Sequence, residues 1–283
     1  MDINIKKGRY HHYKGHDYQV IGMATHSESV EPMVIYRQLY GNLGTWVRTA
    51  GMWNEDVEHE GRTVKRFEYA GPCITSPIED LWSEGQEADW AIAYLHYYEL
   101  VDNRELEEEL ENLSSDDVKK MDGEAFYRFL YEKYYAWKYT EIRRLVRNRS
   151  LLSDFYNNEG KNELPRIHDA LFDDNREDIA RLFRLLSPIK GLGPAGISGL
   201  LAILWPREFG TVDQFVVKAL RCVRDIPDEE KLLLASMKPD NIRPVDAALL
   251  IRIMRRKATQ LNKAFGTDFW TPRAVDMVLW SSR

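Results

Sequence analysis

The 283-residue chain has only two cysteines, Cys73 and Cys222, far apart in sequence. That excludes a disulfide framework, a cysteine-based zinc site and the four thiolates an iron–sulfur cluster needs. No stretch of eighteen apolar residues occurs, so no transmembrane helix is expected. Residues Met1 to Lys7 lack the apolar core of a secretory signal. Internal repeats and low-complexity segments are also missing. A cytoplasmic protein with no membrane partner is expected. The chain has no excess of positive charge either: 45 acids against 39 lysines and arginines give a net charge of −6.

That charge is unevenly spread. Residues 79–124 hold sixteen acids and three bases, a local charge of −13, which leaves the rest of the chain at +7. Two basic clusters stand out. One is Lys138, Arg143, Arg144, Arg147 and Arg149; the other is Arg252, Arg255, Arg256, Lys257 and Lys263. A solvated helix face is the ordinary meaning of such a cluster. Two together, flanking the glycine hairpin at Gly191 to Gly193, point to a footprint on nucleic acid, and its core residues are Arg143, Arg144, Arg147, Arg252, Arg255 and Arg256.

The chain changes character near Pro72 to Pro77. Before it, short alternating runs at Tyr18–Ala24, Met33–Leu39, Thr45–Arg48 and Thr63–Tyr69 are punctuated by Gly41, Gly44 and Gly61. After it, helical periodicity dominates. Ser115 to Asp117 and Asp122 to Glu124 read as helix starts. Pro227 opens a short helix, Pro244–Ala264 forms a long amphipathic one, and Thr271–Trp280 forms the last. Asp246 and Asp276 read as helix-start caps. The fold class is α+β in two domains: residues 1–72 as a small antiparallel, barrel-like β domain, and 78–283 as an all-α domain.

Between Phe126 and Tyr139 the chain is densely aromatic. Phe126, Phe129, Leu130, Tyr134 and Trp137 share one helical side and read as core. Tyr127, Tyr131, Tyr135 and Lys138 form a second stripe, whose ordinary role is an interface with a neighbouring helix.

The most informative stretch is Ile189-Lys190-Gly191-Leu192-Gly193-Pro194-Ala195, set between two apolar periodic segments and followed by Thr211-Val212-Asp213-Gln214-Phe215. The pattern reads as helix, glycine hairpin, helix. Glycine permits backbone angles closed to other residues, and the amides that open the second helix suit a phosphate. These residues resemble the helix-hairpin-helix DNA glycosylases, most closely over 176–223. The resemblance implies a DNA phosphate held by Gly191, Gly193 and Ala195 with Lys190 beside them, and Asp213 as the catalytic carboxylate. It also implies double-stranded DNA as partner and a possible monovalent cation on hairpin carbonyls. Capping alone would also explain Thr211 to Asp213.

Bifunctional members of that family carry a lysine early in the second hairpin helix. Between Gly191 and Asp213 this chain has none, which favours monofunctional hydrolysis with water as nucleophile. Lys190 and Lys138 remain amines within reach of the site from elsewhere in the chain. Local chemistry suggests Trp137, Lys138, Tyr139 and Gln214 as a pocket for an extruded base. The expected function is excision of a damaged or modified base, in repair or in defence against phage DNA, by a bacterial, nucleoid-associated enzyme. The alternative is a catalytically silent DNA-binding protein in which Asp213 is only a cap. Protein partners are not indicated.

In the first domain, Gly8 to Gly15, His26-Ser27-Glu28, Tyr36 to Gly41, Trp46-Val47-Arg48 and Met52-Trp53 resemble a small bacterial domain of uncharacterised function over residues 8–70. Thr49 stands where that family would have proline. His11, His12, His16, His26, Glu28 and Glu31 show no metal-ligand spacing, so no metal is expected. Tyr10, Tyr13, Lys14, Tyr36, Arg37, Tyr40, Trp46 and Arg48 mix aromatic and basic groups. Their ordinary use is a small core; a surface that stacks bases is the alternative.

Overall fold

The β-branched and aromatic runs of the first seventy residues form strands β1 Gly8–His12, β2 Asp17–Thr25, β3 Pro32–Gln38, β4 Thr45–Thr49, β5 Asp56–His59, β6 Arg62–Lys65 and β7 Phe67–Gly71. The computed structural model describes residues 4–173 and 175–283. Strands β4-β3-β2-β1-β7 make one antiparallel sheet, and β5-β6 a separate hairpin. The ladder is open at β4 and β7, so the barrel-like closure read from the sequence is not made by strand pairing among the described residues.

Paired residues on adjacent strands share a face of the sheet. Gly8–Val20, Val20–Tyr36, Tyr10–Tyr18 and Tyr10–Tyr69 are such pairs. Tyr10, Val20, Val34 and Tyr36 form the core, closed by Phe67 and by Trp53 of the short helix Ala50–Trp53. The rings of Trp53 and Phe67 stack with centroids 3.8 Å apart. Tyr10 and Tyr36 therefore serve the core.

The chain divides into two compact units: one runs to His96 and takes in Leu261–Phe269, the other holds Tyr97–Gln260 and Trp270–Arg283. The first thus continues past the Pro72 to Pro77 break. The start of its helix Glu87–Leu100 packs on the strand part, with Leu39, just past β3, buried against Ala88, Ala91 and Ile92. Gly41 N–H donates to Glu87 Oε1 at 2.9 Å, and Arg9 pairs with Asp89 at 2.8 Å.

The second unit is helical throughout. Asp122 caps its helix by accepting from Ala125 N–H at 2.8 Å, and Ser114, one residue before the expected start, caps another. Helices Pro244–Phe265 and Pro272–Ser281 lie within a residue of the expected limits. The aromatic run is not one regular helix: Phe129–Tyr134 is a π-helical stretch between Gly123–Arg128 and Tyr135–Lys138. The wider turn shifts the side-chain register, so consecutive Tyr134 and Tyr135 are both fully buried. Tyr127 and Tyr131 keep the interface role: Tyr127 stacks on Tyr156 at 3.9 Å, and Arg149 lies over Tyr131 at 4.9 Å. No helix among the described residues is long and apolar enough to cross a membrane.

Candidate functional site

Helices Ile179–Leu186 and Pro194–Leu204 flank the glycine turn. Gly191 has φ +86°, and a Cβ there would lie 2.8 Å from the Asn148 carbonyl and 3.0 Å from the Tyr135 ring. Both the backbone angle and the packing require glycine. Gly193 has φ −78° and open space where a Cβ would be. It is the N-cap of the second helix, with Pro194 following, so the first amides free to meet a ligand are those of Ala195 and Gly196.

Tyrosines of the aromatic run hold this hairpin. Tyr135 donates to Lys190 O at 2.7 Å, Tyr139 to Gly191 O at 2.6 Å, and Tyr134 to Gly196 O. Two of the hairpin carbonyls, those of Lys190 and Gly191, thus already accept tyrosine hydroxyls. Gly196 and Gly199 leave the second helix bare where this run crosses it: a Cβ on Gly199 would meet the Tyr134 hydroxyl at 2.7 Å and Lys138 Cδ at 3.4 Å. The Lys190 side chain is exposed.

The same run opens onto a cavity of about 330 Å³, near the lower end of small-ligand sites. Its lining includes Trp137, Lys138, Tyr139, Ala195, Asp213 and Gln214, so the residues chosen for a base pocket and the carboxylate come together in one place. Asp213 is the N-cap of helix Gln214–Cys222; its Oδ1 accepts from Phe215 N–H at 2.8 Å and Val216 N–H at 3.1 Å. Oδ2 accepts no hydrogen bond among the described residues. Capping and chemistry therefore do not compete for the same oxygen.

Lys138 is the half-buried amine of the site. Desolvation holds its pKa below the usual lysine value, against the opposing pull of Asp213 and Asp276. Gln214 Oε1 lies 3.4 Å from Lys218 Nζ.

Four cavity residues were not legible as site residues. Arg273 is almost wholly buried and donates to Asp276 at 2.9 and 3.1 Å, to Tyr97 Oη at 2.8 Å and to Glu107 at 2.6 Å. Glu107 also accepts from Trp137 Nε1. Asp276 accepts from Thr211 N–H at 2.6 Å, which pins the segment leading into Asp213. Asp276 is thus not a helix cap; Thr271 caps that helix through Ala274 N–H at 3.1 Å. Asp246 does bond at its helix start, to Arg243 N–H at 3.0 Å. Burial pushes the Asp276 carboxyl up to about 6, desolvation outweighing the attraction of Arg273. The only sequence signal was an Arg–Asp pair three apart in an apolar helix, while Glu107 was hidden among neighbouring acids.

The basic clusters fare differently. Arg143 and Arg147 are exposed on helix Ile142–Phe155, and Arg144, at the cavity rim, pairs with Glu141 at 2.9 Å. Of the second cluster, Arg252 is exposed. Arg255 instead donates to the Glu208 carbonyl above the Phe209 ring, and Arg256 makes a two-point pair with Glu230. Those two are thus already engaged by groups of the protein, unlike Arg143 and Arg147. No group of three His, Cys, Asp or Glu side chains among the described residues could hold a metal ion.

Residues 8–69 match the model of a family described as "Protein of unknown function (DUF1653)". A solved structure of a protein belonging to that family, from Bordetella bronchiseptica, is 35% identical to this chain; the match covers 26% of this chain and 95% of that one, with a TM-score of 0.24. A search of curated proteins gives no match.

Proposed function

Because this chain belongs, through residues 8–69, to the DUF1653 family, whose function is unknown, we propose its activity from the helical unit: hydrolysis of the N-glycosidic bond of a damaged or modified base in DNA. One observation carries the reading. The glycine hairpin and the Asp213 carboxylate border a single cavity large enough for an extruded base, walled by Trp137 and Tyr139. The Ala195 and Gly196 amides would take a phosphate beside the target nucleotide.

In this mechanism the carbon–nitrogen bond breaks with its electron pair leaving on the base, and positive charge develops on the sugar. Asp213 Oδ2 offsets that charge, more strongly as the closing DNA excludes water. Water then attacks C1′ and passes a proton to Asp213. Oδ1 stays bound to the helix amides, so the carboxylate is oriented before substrate arrives. The Arg273–Asp276–Thr211 chain positions the same turn from behind.

Purified protein and its Asp213→Asn variant, incubated with cellular and heavily modified phage DNA, test this by mass spectrometry of released base. Release by wild type, reduced about 10²–10³-fold in the variant while binding persists, is expected. Binding without release on every substrate would leave the silent DNA-binding alternative.

A second reading is favoured by Lys138. A desolvated amine lining the cavity with Asp213 is suited to attack C1′ in place of water and open the sugar as an imine. Borohydride reduces such an imine to a stable protein–DNA link. Trapping by wild type and its loss in Lys138→Gln would mark this route, whereas base release without trapping marks the water route.

A further inference from the structure

At its β4 edge, the core-side face of the β sheet carries a charge without a counter-charge among the described residues. Arg48 on edge strand β4 pairs with Val34, and Trp46, two residues away on the same face, pairs with Tyr36. Arg48 is half-buried, its guanidinium carbon 5.8 Å from the Phe67 ring centre, and its Nε is buried without a hydrogen-bond partner. No carboxylate pairs with it among the described residues. This is unusual, because a cation drawn out of water is normally paired. The surroundings add more positive charge: burial first, and then the charges of Arg48, Arg66 and Lys14, lower the His12 pKa to about 4, so the imidazole is neutral at physiological pH. Only Arg66 is neutralised, by Glu55 at 2.6 Å. Beside this cationic centre Trp46 is 55% exposed, an indole on the rim of a face whose core aromatics Tyr36, Trp53 and Phe67 are buried.

A guanidinium fork matches a phosphate in two-point geometry, and an exposed indole offers a stacking platform to any base. We propose that this face of β4 is a nucleotide-binding site, with the phosphate on Arg48 and the base stacked on Trp46. The site belongs to the β-sheet unit and stands whether or not the helical unit excises bases. A free mononucleotide and a nucleotide within a single strand share this chemistry.

Isothermal titration of the intact protein with dTMP, thymidine, inorganic phosphate, acetate and single-stranded oligo-dT tests it. dTMP should bind, and thymidine or phosphate alone should bind about tenfold more weakly, since each offers one half of the recognition. Arg48→Lys, which keeps the charge but loses the fork, and Trp46→Ala, at an exposed position, should each weaken dTMP about tenfold. Arg37→Gln, on the opposite face, should change nothing. Tighter oligo-dT binding that Trp46→Ala abolishes would identify the strand as the source; equal affinities would identify the free nucleotide. Absence of dTMP and oligo-dT binding, competition by acetate as effective as by phosphate, or binding unchanged in both variants would overturn the assignment. In the last case the nucleotide sits elsewhere.

Discussion

Asp213 Oδ1 caps a helix while Oδ2 accepts no hydrogen bond among the described residues, so substitution separates the cap from the proposed chemistry. Asparagine caps a helix about as well as aspartate, so Asp213→Asn should leave the thermal midpoint nearly unchanged while base release is lost. Asp213→Ala removes the cap as well and should cost about 0.5–2 kcal/mol of stability by denaturant titration. Asp276 makes a pH prediction. Its carboxyl binds a proton up to about pH 6 in the folded chain, against an ordinary value of 3.8. Between those values the folded state holds more protons than the unfolded one, so this group's contribution to stability falls as pH rises from 4 through 6. Calorimetry of wild type against Asp276→Asn should show wild type losing ground to the variant across that window. The partly unpaired Arg273 of the variant adds a constant offset, and the slope carries the test.

At the scale of elements, the hairpin is a rigid turn rather than a loop that orders on binding. Gly191 is held by its positive φ and by the Asn148 carbonyl, Gly193 by neither. Gly191→Ala should therefore destabilise the fold by more than about 1 kcal/mol. Gly193→Ala should leave the melting temperature within a degree or so of wild type, since a substitution free of strain and contact changes stability by only about 0.5 kcal/mol. If a phosphate approaches the backbone there, the same alanine weakens DNA binding in a fluorescence anisotropy titration. Unchanged affinity would place the phosphate elsewhere. The π-helical stretch belongs to this scale too. By adding a residue to the turn it brings Tyr134, Tyr135 and Tyr139 onto the hairpin and Lys138 into the cavity beside it.

Across the whole molecule, net charge is a poor guide, because acids and bases are segregated along the chain. Under the proposed DNA-binding reading, an exposed arginine contributes more to phosphate contact than one already paired within the protein. Arg143→Gln with Arg147→Gln should lower the slope of log affinity against log salt by about two. Arg256→Gln should leave that slope unchanged and lower the melting temperature instead, since it breaks the pair with Glu230. Equal effects of the two changes on the slope would mean that the second cluster also meets DNA.

The α+β division, the strands, the hairpin and its following carboxylate were determined by local rules: periodicity, glycine at special backbone angles and capping chemistry act over a few residues and leave their mark in order. Tertiary structure alone decided which charges are spent. Arg255 and Arg256 look like Arg143 and Arg147 in sequence, and only the approach of Glu208 and Glu230 from distant segments sets them apart. Lys138 was visible as a lysine, but a π-helical register and two glycines on another helix place it beside Asp213. Arg273 reaches Glu107 and Tyr97 across more than 160 residues of chain. Burial and charge pairing depend on what arrives from elsewhere in the fold, and no local pattern encodes that arrival.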